Sequence, residues 1–134
     1  MKKKRRVILD SNFLFVPSSL KIDIFEEIEN IVGRFEPIVL SVTLQELKKL
    51  ANSKSEKMRK EASFALDLAR KCVTLNVQRK KWEKNDDVIV RIAKETGCPV
   101  ATNDRDLRKK LRKEGIATIY VREKKYLNLE GEIP

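Results

Sequence analysis

The 134-residue sequence contains no histidine and only four glycines. Without histidine, the Ser-His-Asp type of catalytic triad and the HExxH zinc site are both excluded. Four glycines scattered along the chain cannot build the GxxxxGK[ST] or GxGxxG loops that hold phosphates. Any hydrolytic chemistry must therefore rest on carboxylates, for which a metal ion is the natural helper.

Cysteine is almost as scarce, with Cys72 and Cys98 far apart and not in a CxxC pair. Two cysteines without histidine cannot make a structural zinc site. Both lie in apolar surroundings, so we expect small core residues. The sequence leaves open whether they form a disulfide with each other.

Long hydrophobic runs and aromatic residues are also few. No stretch approaches the roughly 20 apolar residues of a membrane helix, and MKKKRR runs into VILD without a signal-peptide hydrophobic region. We therefore expect a cytoplasmic protein without a membrane partner.

Only 6% of residues are aromatic, which predicts an aliphatic core. The net charge of +10 favours a polyanionic partner, and nucleic acid is the first candidate.

Predicted strands and helices alternate along the chain, which is typical of an α/β fold with helices on both faces of a parallel sheet. The apolar runs predict strands at residues 7–9, 37–40, 73–77, 100–102 and 116–121. Helical spacing predicts helices over residues 21–35, 44–51, 58–69, 88–93 and 107–111, the fourth stopped by Gly97. We expect one domain over residues 1–134, with residues 1–6 as a basic N-terminal extension and a less regular tail after residue 121.

Six acids follow predicted strands or open predicted helices: Asp10, Glu46, Asp86, Asp87, Asp104 and Asp106. The carboxyl ends of parallel strands share one edge of a sheet, where ligands usually bind. We therefore expect these acids to converge, although they are distant in sequence. Carboxylates that close repel one another unless a cation lies among them, and oxygen ligands suit Mg²⁺ or Mn²⁺.

Each acid also has a structural interpretation. Thr43 and Glu46 have the spacing of a capping box. The pairs at 86–87 and 104–106 could cap or charge-stabilise helix starts. Asp10 is harder to explain in this way, because we expect a loop after its strand. The coincidence of all four segments at one edge carries the hypothesis of a functional site.

The segments ILDSN, SVTLQEL, NDDVIVRIA and PVATNDRDL are similar to the four acidic blocks of PIN-domain ribonucleases, in the family's order and over nearly the whole chain. Within that family the sequence most resembles archaeal relatives of the Fcf1/Utp24 nuclease of ribosomal-RNA processing, and VapC toxins more distantly. The resemblance implies a three-layer α/β/α fold around a mostly parallel sheet of four to five strands. It also implies a Mg²⁺- or Mn²⁺-dependent ribonuclease, expected to be an endonuclease, and a possible homodimer.

The resemblance also implies a role for each matching position. Asp10, Glu46, either Asp86 or Asp87, and Asp104 would be metal ligands and catalytic acids, with Asp106 in support. Polar side chains around the site would be Asn12, Thr102 and Asn103. All four acidic blocks are intact, as in an active enzyme.

Basic residues are expected to bring RNA to this acidic site. Arg105 and Arg108 are favoured, because they share a helix start with Asp104. The other candidates are residues 2–6, Lys54, Lys57, Arg59, Lys60, Lys109, Arg112 and Lys113, and for each single lysine the alternative is a solvated helix face. Trp82 and Tyr126 could stack on bases, although we expect Trp82 to be partly buried in the core.

Three other functions compete with this interpretation. One is an RNA-binding scaffold of ribosome assembly that does not cut RNA, and another is a VapC-type toxin ribonuclease with an antitoxin partner. The third is a Toprim-like phosphotransfer domain, because Asp104 and Asp106 form a DxD after a strand. That fold would leave the ILDSN segment unexplained.

Overall fold

A computed structural model of the protein describes residues 5–133. Six strands form one sheet: Arg5–Leu9 (β1), Phe35–Leu40 (β2), Val73–Leu75 (β3), Val100–Ala101 (β4), Thr118–Arg122 (β5) and Tyr126–Glu130 (β6). Their order in the sheet is β3-β2-β1-β4-β5-β6. Every neighbouring pair is parallel except β5 and β6, which form an antiparallel hairpin.

Helices cover both faces of this sheet: Ser11–Leu14 (α1), Val16–Leu20 (α2), Ile24–Val32 (α3), Ser41–Leu50 (α4), Glu56–Ala69 (α5), Asn85–Thr96 (α6) and Arg105–Lys113 (α7). Alternate residues of a strand point to opposite faces. Val7 and Leu9 accordingly join the core formed with α1 to α5, whereas Ile8 joins the core formed with α6 and α7. The predicted three-layer α/β/α architecture is confirmed.

The sheet has one strand more than predicted, because the tail continues as β6. The turn between β5 and β6 places Glu123 and Lys124 at positive φ, 55° each. Such turns favour Asn-Gly or Asp-Gly, so Glu-Lys gave no hairpin signal. Leu127 of β6 is nevertheless buried against the sheet's core.

The first segment of the chain after β1 differs most from the prediction. A loop was expected after Asp10, but α1 and α2 follow it directly. The helix expected over residues 21–35 is the shorter α3, capped by the Asp23 side chain and ended at Gly33 with φ of 82°. Phe35, which fits helical spacing in the sequence, is instead the first residue of β2.

The last two residues of the expected N-terminal extension, residues 1–6, are part of the sheet. Arg5 and Arg6 belong to β1 and pair with Phe35 and Glu36 of β2, whereas residues 1–4 lie outside the described part of the chain. Among residues 5–133, no helix is both long and apolar enough to span a bilayer.

The two cysteines are free and buried. Cys72 belongs to the hydrophobic cluster on one face of the sheet and Cys98 to the cluster on the other. The sheet therefore separates them, and the disulfide that the sequence left open is not formed. Burial raises the pKa of the Cys72 thiol to about 12, as expected of an unreactive core residue.

The strand order creates a crevice at the middle of the sheet. The chain builds β2 and β3 on one side of β1, then returns to build β4 and β5 on the other. Ligands in α/β folds bind at such a reversal, beyond the carboxyl ends of the strands. Because Leu9 pairs with Ala101, the next residues, Asp10 and Thr102, lie side by side at that point.

Candidate active site

Asp10 is buried at the end of β1, with 6% of its surface exposed. One carboxylate oxygen accepts a hydrogen bond from the Ser11 backbone N–H at 2.8 Å, and the other accepts from the Thr102 hydroxyl at 2.7 Å. The first bond caps α1, and the second joins the ends of β1 and β4. The carboxylate is therefore held in one orientation by two neighbouring strands.

The three predicted supporting residues form one network behind this carboxylate. The amide oxygen of Asn12 accepts from the Asn103 backbone N–H at 3.1 Å. The Thr102 hydroxyl oxygen accepts from the Asp104 backbone N–H at 3.1 Å, and the Asn103 side chain accepts from the Val121 backbone N–H at 2.9 Å. These contacts fix the loop after β4 against α1 and β5, and so set the position of Asp104.

Four further acids line a cavity of about 440 Å³ with Asp10: Glu83, which is paired with Arg91, and Glu46, Asp86 and Asp104. Glu46 comes from the second turn of α4, Asp86 from the first turn of α6, and Asp104 from the start of α7. Each of these helices, like β1, contributes one acid to the cavity. The predicted convergence of four separate chain segments is therefore present in the structure.

Acids outnumber cations in the lining of this cavity, with five carboxylates against Arg79 and Lys84. Burial raises the pKa of Asp10 to about 6, against the hydrogen bonds from Thr102 and Ser11, and the charges of Asp86 and Glu46 raise it further. Burial also raises the pKa of Asp86, with a further contribution from Asp104 that Lys110 opposes. Mutual repulsion of this kind is relieved when a cation binds among the carboxylates.

The structure separates Asp86 from its neighbour Asp87. Asp86 lines the acidic cavity, whereas Asp87 lines a different one beside Lys110 and Arg91. One Asp87 oxygen accepts from the Lys84 backbone N–H at 2.9 Å. Asp87 therefore acts as a capping residue of α6, and its role as a metal ligand stays a prediction.

Asp106 also lies outside the acidic cavity. It is an exposed residue in the first turn of α7, where its charge suits the positive end of the helix dipole. Asp104, two residues earlier, fits both the helix-capping interpretation and the functional one. It caps α7 by accepting from the Leu107 backbone N–H at 3.1 Å, and it lines the cavity.

The capping-box interpretation of Glu46 is wrong. Helix α4 begins at Ser41, so Thr43 is buried inside the helix and does not cap it. The Glu46 carboxylate has one long hydrogen bond, at 3.4 Å, from the Asn85 side-chain amide. Glu46 is thus held only loosely by the protein.

Sequence reasoning missed five residues that line the same cavity: Ser11, Arg79, Glu83, Lys84 and Asn85. Arg79, Glu83 and Lys84 lie in the β3–α6 connection, residues 76–84, and Asn85 is the first residue of α6. The available signal was the KND order, which places a cation and an amide directly before Asp86. It was overlooked because the connection has no periodic pattern.

The predicted RNA-binding residues are divided between two places. Arg105, Arg108, Lys109 and Arg112 line a second cavity of about 640 Å³ along α7, together with Lys113 and Glu130. Within it, the Arg108 guanidinium lies 3.9 Å from the Tyr120 ring centre, and Arg112 pairs with Glu130 at 3.2 Å. Lys54 and Lys57 are exposed near the α4–α5 connection and line neither cavity.

The expectation for Trp82 is wrong, because its side chain is not part of the core. Trp82 is 79% exposed, and Tyr126 is 42% exposed. Trp82 occupies the β3–α6 connection, close in sequence to three residues that line the acidic cavity.

The chain is similar in sequence to a known domain family and to two ribonucleases. The PIN-like domain family matches residues 7–124. The chain is 33% identical over 132 residues to the ribonuclease VapC4 of Methanocaldococcus jannaschii, covering 96% of this chain and 98% of that protein. It is 27% identical over 129 residues to the ribonuclease VapC9 of Archaeoglobus fulgidus, covering 96% and 91%.

Among solved structures, the PIN domain endonuclease Utp24 superposes with a TM-score of 0.78 at 28% identity, covering 96% of this chain and 92% of that one. A domain of a functionally unknown protein from Methanocaldococcus jannaschii has a TM-score of 0.64 at 16% identity, with 97% and 96% covered, and supports the fold alone. With the fold, the four converging acids and a family match over most of its length, this chain belongs to the PIN-like domain family.

Proposed function

We propose that the protein is a metal-dependent ribonuclease that hydrolyses internal phosphodiester bonds of RNA. The observation that carries the proposal is the cavity in which Asp10, Glu46, Asp86 and Asp104 come together from four chain segments. The names of the similar proteins support it, since two are ribonucleases and one is an endonuclease. The expected products carry 5′-phosphate and 3′-hydroxyl ends.

The residues of the cavity fit Mg²⁺ or Mn²⁺ better than a softer metal. Carboxylate and amide oxygens dominate the lining, and no histidine is available anywhere in the sequence. Within residues 5–133, no three acidic or cysteine side chains are close enough to hold an ion by themselves. This arrangement suits Mg²⁺, which keeps several waters and binds through one or two carboxylates.

One or two of the carboxylates of Asp10, Asp86 and Asp104 would hold the cation, with Glu46 at the edge of the site. When bound, the cation would stabilise the phosphate charge and make water more acidic. Thr102 and Ser11 keep the Asp10 carboxylate fixed by hydrogen bonds at 2.7 and 2.8 Å. Glu46, which has only one long contact, is free to accept a proton from the attacking water and to orient it.

Two biological settings follow from different similarities. The likeness to Utp24 favours a role in ribosomal-RNA processing. The 33% identity to a VapC ribonuclease favours a toxin as the second candidate, with an antitoxin partner. A toxin would arrest growth when expressed, and the product of an adjacent small reading frame would relieve the arrest.

A cleavage assay tests the nuclease itself. Single-stranded and hairpin RNA are incubated with the protein and Mg²⁺, Mn²⁺ or EDTA, and the products are resolved by gel electrophoresis. We expect cleavage with either metal and none in EDTA. Asp10→Asn should abolish it, because this change removes the buried charge while keeping the side-chain shape.

Asp67→Asn is the matched control. Asp67 is an exposed aspartate on α5 that pairs with Arg70 at 2.8 Å, outside the acidic cavity, so its loss should leave cleavage unchanged. Cleavage that persists in EDTA or in Asp10→Asn would contradict the proposal. RNA binding without cleavage under any condition would support the scaffold function instead.

A further inference from the structure

Trp82 is the one tryptophan of the sequence, and 79% of it is exposed to solvent. It lies in the connection between β3 and α6, residues 76–84, which also contains Arg79, Lys80, Lys81 and Lys84. Single exposed apolar residues are common on protein surfaces and do not by themselves indicate a binding site. The surroundings of this tryptophan are what distinguish it.

The turn that carries Trp82 is held in a fixed conformation. The Lys80 carbonyl accepts from the Glu83 backbone N–H at 2.9 Å. The Glu83 carboxylate in return accepts from the Lys80 backbone N–H at 2.8 Å. Trp82 is the third residue of this closed four-residue turn, so its ring is presented to solvent by a rigid segment.

Glu83 is itself anchored to α6. Arg91 donates to its two carboxylate oxygens at 2.9 and 3.0 Å, and also to the Gln78 carbonyl at 2.8 Å. At the other end of the connection, the Ser41 hydroxyl donates to the Val77 carbonyl at 3.0 Å and accepts from the Val77 N–H at 2.9 Å. The segment is thus attached both to α4 and to α6, the helices that supply Glu46 and Asp86.

The same segment forms one wall of the acidic cavity. Arg79, Glu83 and Lys84 all line it, so Trp82 lies between wall residues in the sequence, with its own ring exposed outside. Successive Cα atoms are about 3.8 Å apart, so Trp82 is within about 8 Å of Lys84 along the backbone. An RNA strand bound over the turn would therefore lie within reach of the cavity.

The charge of this surface favours a nucleic-acid strand. The connection carries four cations, Arg79, Lys80, Lys81 and Lys84, and its single acid, Glu83, is already paired with Arg91. Lys80 Nζ lies 5.8 Å from the centre of the Trp82 ring. An exposed aromatic ring among cations is the arrangement by which proteins bind unpaired bases through stacking and their phosphates through charge.

We infer that the connection at residues 76–84 is a binding surface for single-stranded RNA. The Trp82 ring stacks on an unpaired base, and Arg79 and Lys84 contact the phosphates that lead into the acidic cavity. This inference rests on the proposed function, since it names the substrate of the same site as unpaired RNA. A base inside a duplex cannot reach the ring, so double-stranded RNA would not bind here in the same way.

The intrinsic fluorescence of the protein tests the contact directly, because Trp82 is its one tryptophan. The wild-type protein is titrated in EDTA with a single-stranded oligoribonucleotide and with a duplex of the same sequence. We expect the single strand to quench the fluorescence saturably and the duplex to have little effect. Gel electrophoresis after the titration verifies that the RNA is intact.

Affinity is then measured with a fluorescently labelled single strand by anisotropy. Trp82→Ala should weaken binding by about 5- to 100-fold, and Trp82→Phe, which keeps a ring, by much less. Phe64→Ala is the matched control, because Phe64 is an exposed aromatic residue on α5, 45% exposed, outside the acidic cavity. It should leave the affinity unchanged.

The outcomes separate this inference from the proposed function. Metal-dependent cleavage by a protein whose tryptophan is not quenched, and whose Trp82→Ala variant binds normally, overturns the inference alone. Quenching and loss of affinity in Trp82→Ala without any cleavage would uphold the binding surface and reject the nuclease. If RNA does not bind at all, the inference is rejected.

Discussion

Asp86 and Asp87 show how much can depend on a single residue position. Successive residues of a helix point about 100° apart, so the two adjacent carboxylates leave the helix in different directions. Asp86 faces the acidic cavity, whereas Asp87 accepts a hydrogen bond from the Lys84 backbone N–H. The two aspartates therefore have different roles: Asp86 lines the candidate active site, and Asp87 caps α6.

Alanine replacement of each residue tests this division. Asp86→Ala should reduce metal-dependent RNA cleavage by at least about 100-fold, because even partners outside a metal's ligand set typically contribute 10- to 100-fold. Asp87→Ala should leave cleavage within a few-fold and lower the free energy of unfolding by about 1 kcal/mol through loss of the cap. Cleavage rates and urea unfolding measure the two effects, and a reversed result would reassign the site to Asp87.

At the scale of elements, the β3–α6 connection forms one wall of the candidate active site. Its conformation depends on the Glu83–Arg91 pair, whose side chains are 6% and 23% exposed. The Arg91 hydrogen bonds, followed by that from Lys80, lower the pKa of Glu83 from 4.5 to about 2. A carboxyl group with a lowered pKa stabilises the folded protein when it is ionised.

Glu83→Gln should therefore lower the free energy of unfolding at neutral pH. The lost stabilisation is present in full above the unfolded-state pKa of 4.5 and fades as the pH falls towards 2, so wild type and variant should converge under acid conditions. Urea unfolding at a series of pH values measures this. Glu95→Gln is the control, since Glu95 is more exposed and 3.9 Å from Arg91. A difference that does not change with pH would contradict the assignment.

The elements missed by sequence analysis share one physical cause. Helices α1 and α2 are four and five residues long, too short to display a helical period. Strand β6 is reached through a turn without glycine or asparagine, at Glu123 and Lys124. Both features are stabilised by packing against the sheet, as for Phe13, Leu14 and Leu127, and not by local sequence preference.

At the scale of the whole molecule, the net charge is positive, whereas the candidate active site is acidic. The net charge is +10, yet five acids line the candidate active site. The positive field attracts RNA from a distance, while the carboxylates repel phosphates unless a cation is bound. Binding of RNA should therefore be strongly dependent on salt.

For single strands, each phosphate contact contributes about −0.7 to the slope of log affinity against log salt concentration. The two phosphate contacts proposed for Arg79 and Lys84 would together give a slope of about −1.4, measured by anisotropy in EDTA. Lys84→Gln should reduce its magnitude by about 0.7. Lys71→Gln is the control. Lys71 is exposed and precedes β3, so it lies at the opposite end of that strand from the β3–α6 connection. A slope near zero would show that charge does not drive binding.

The sequence by itself determined the α/β class, the parallel core of the sheet and the acids that follow its strands. These features are local, because apolar runs and helical periods are set by neighbouring residues, and a parallel sheet brings all strand ends to one edge. Only the tertiary structure decided that Asp86 and not Asp87 faces the cavity, that Glu46 is no cap, and that Trp82 is exposed. Those outcomes depend on contacts between distant segments, such as Glu83 with Arg91 and Ser41 with Val77, which no local pattern encodes.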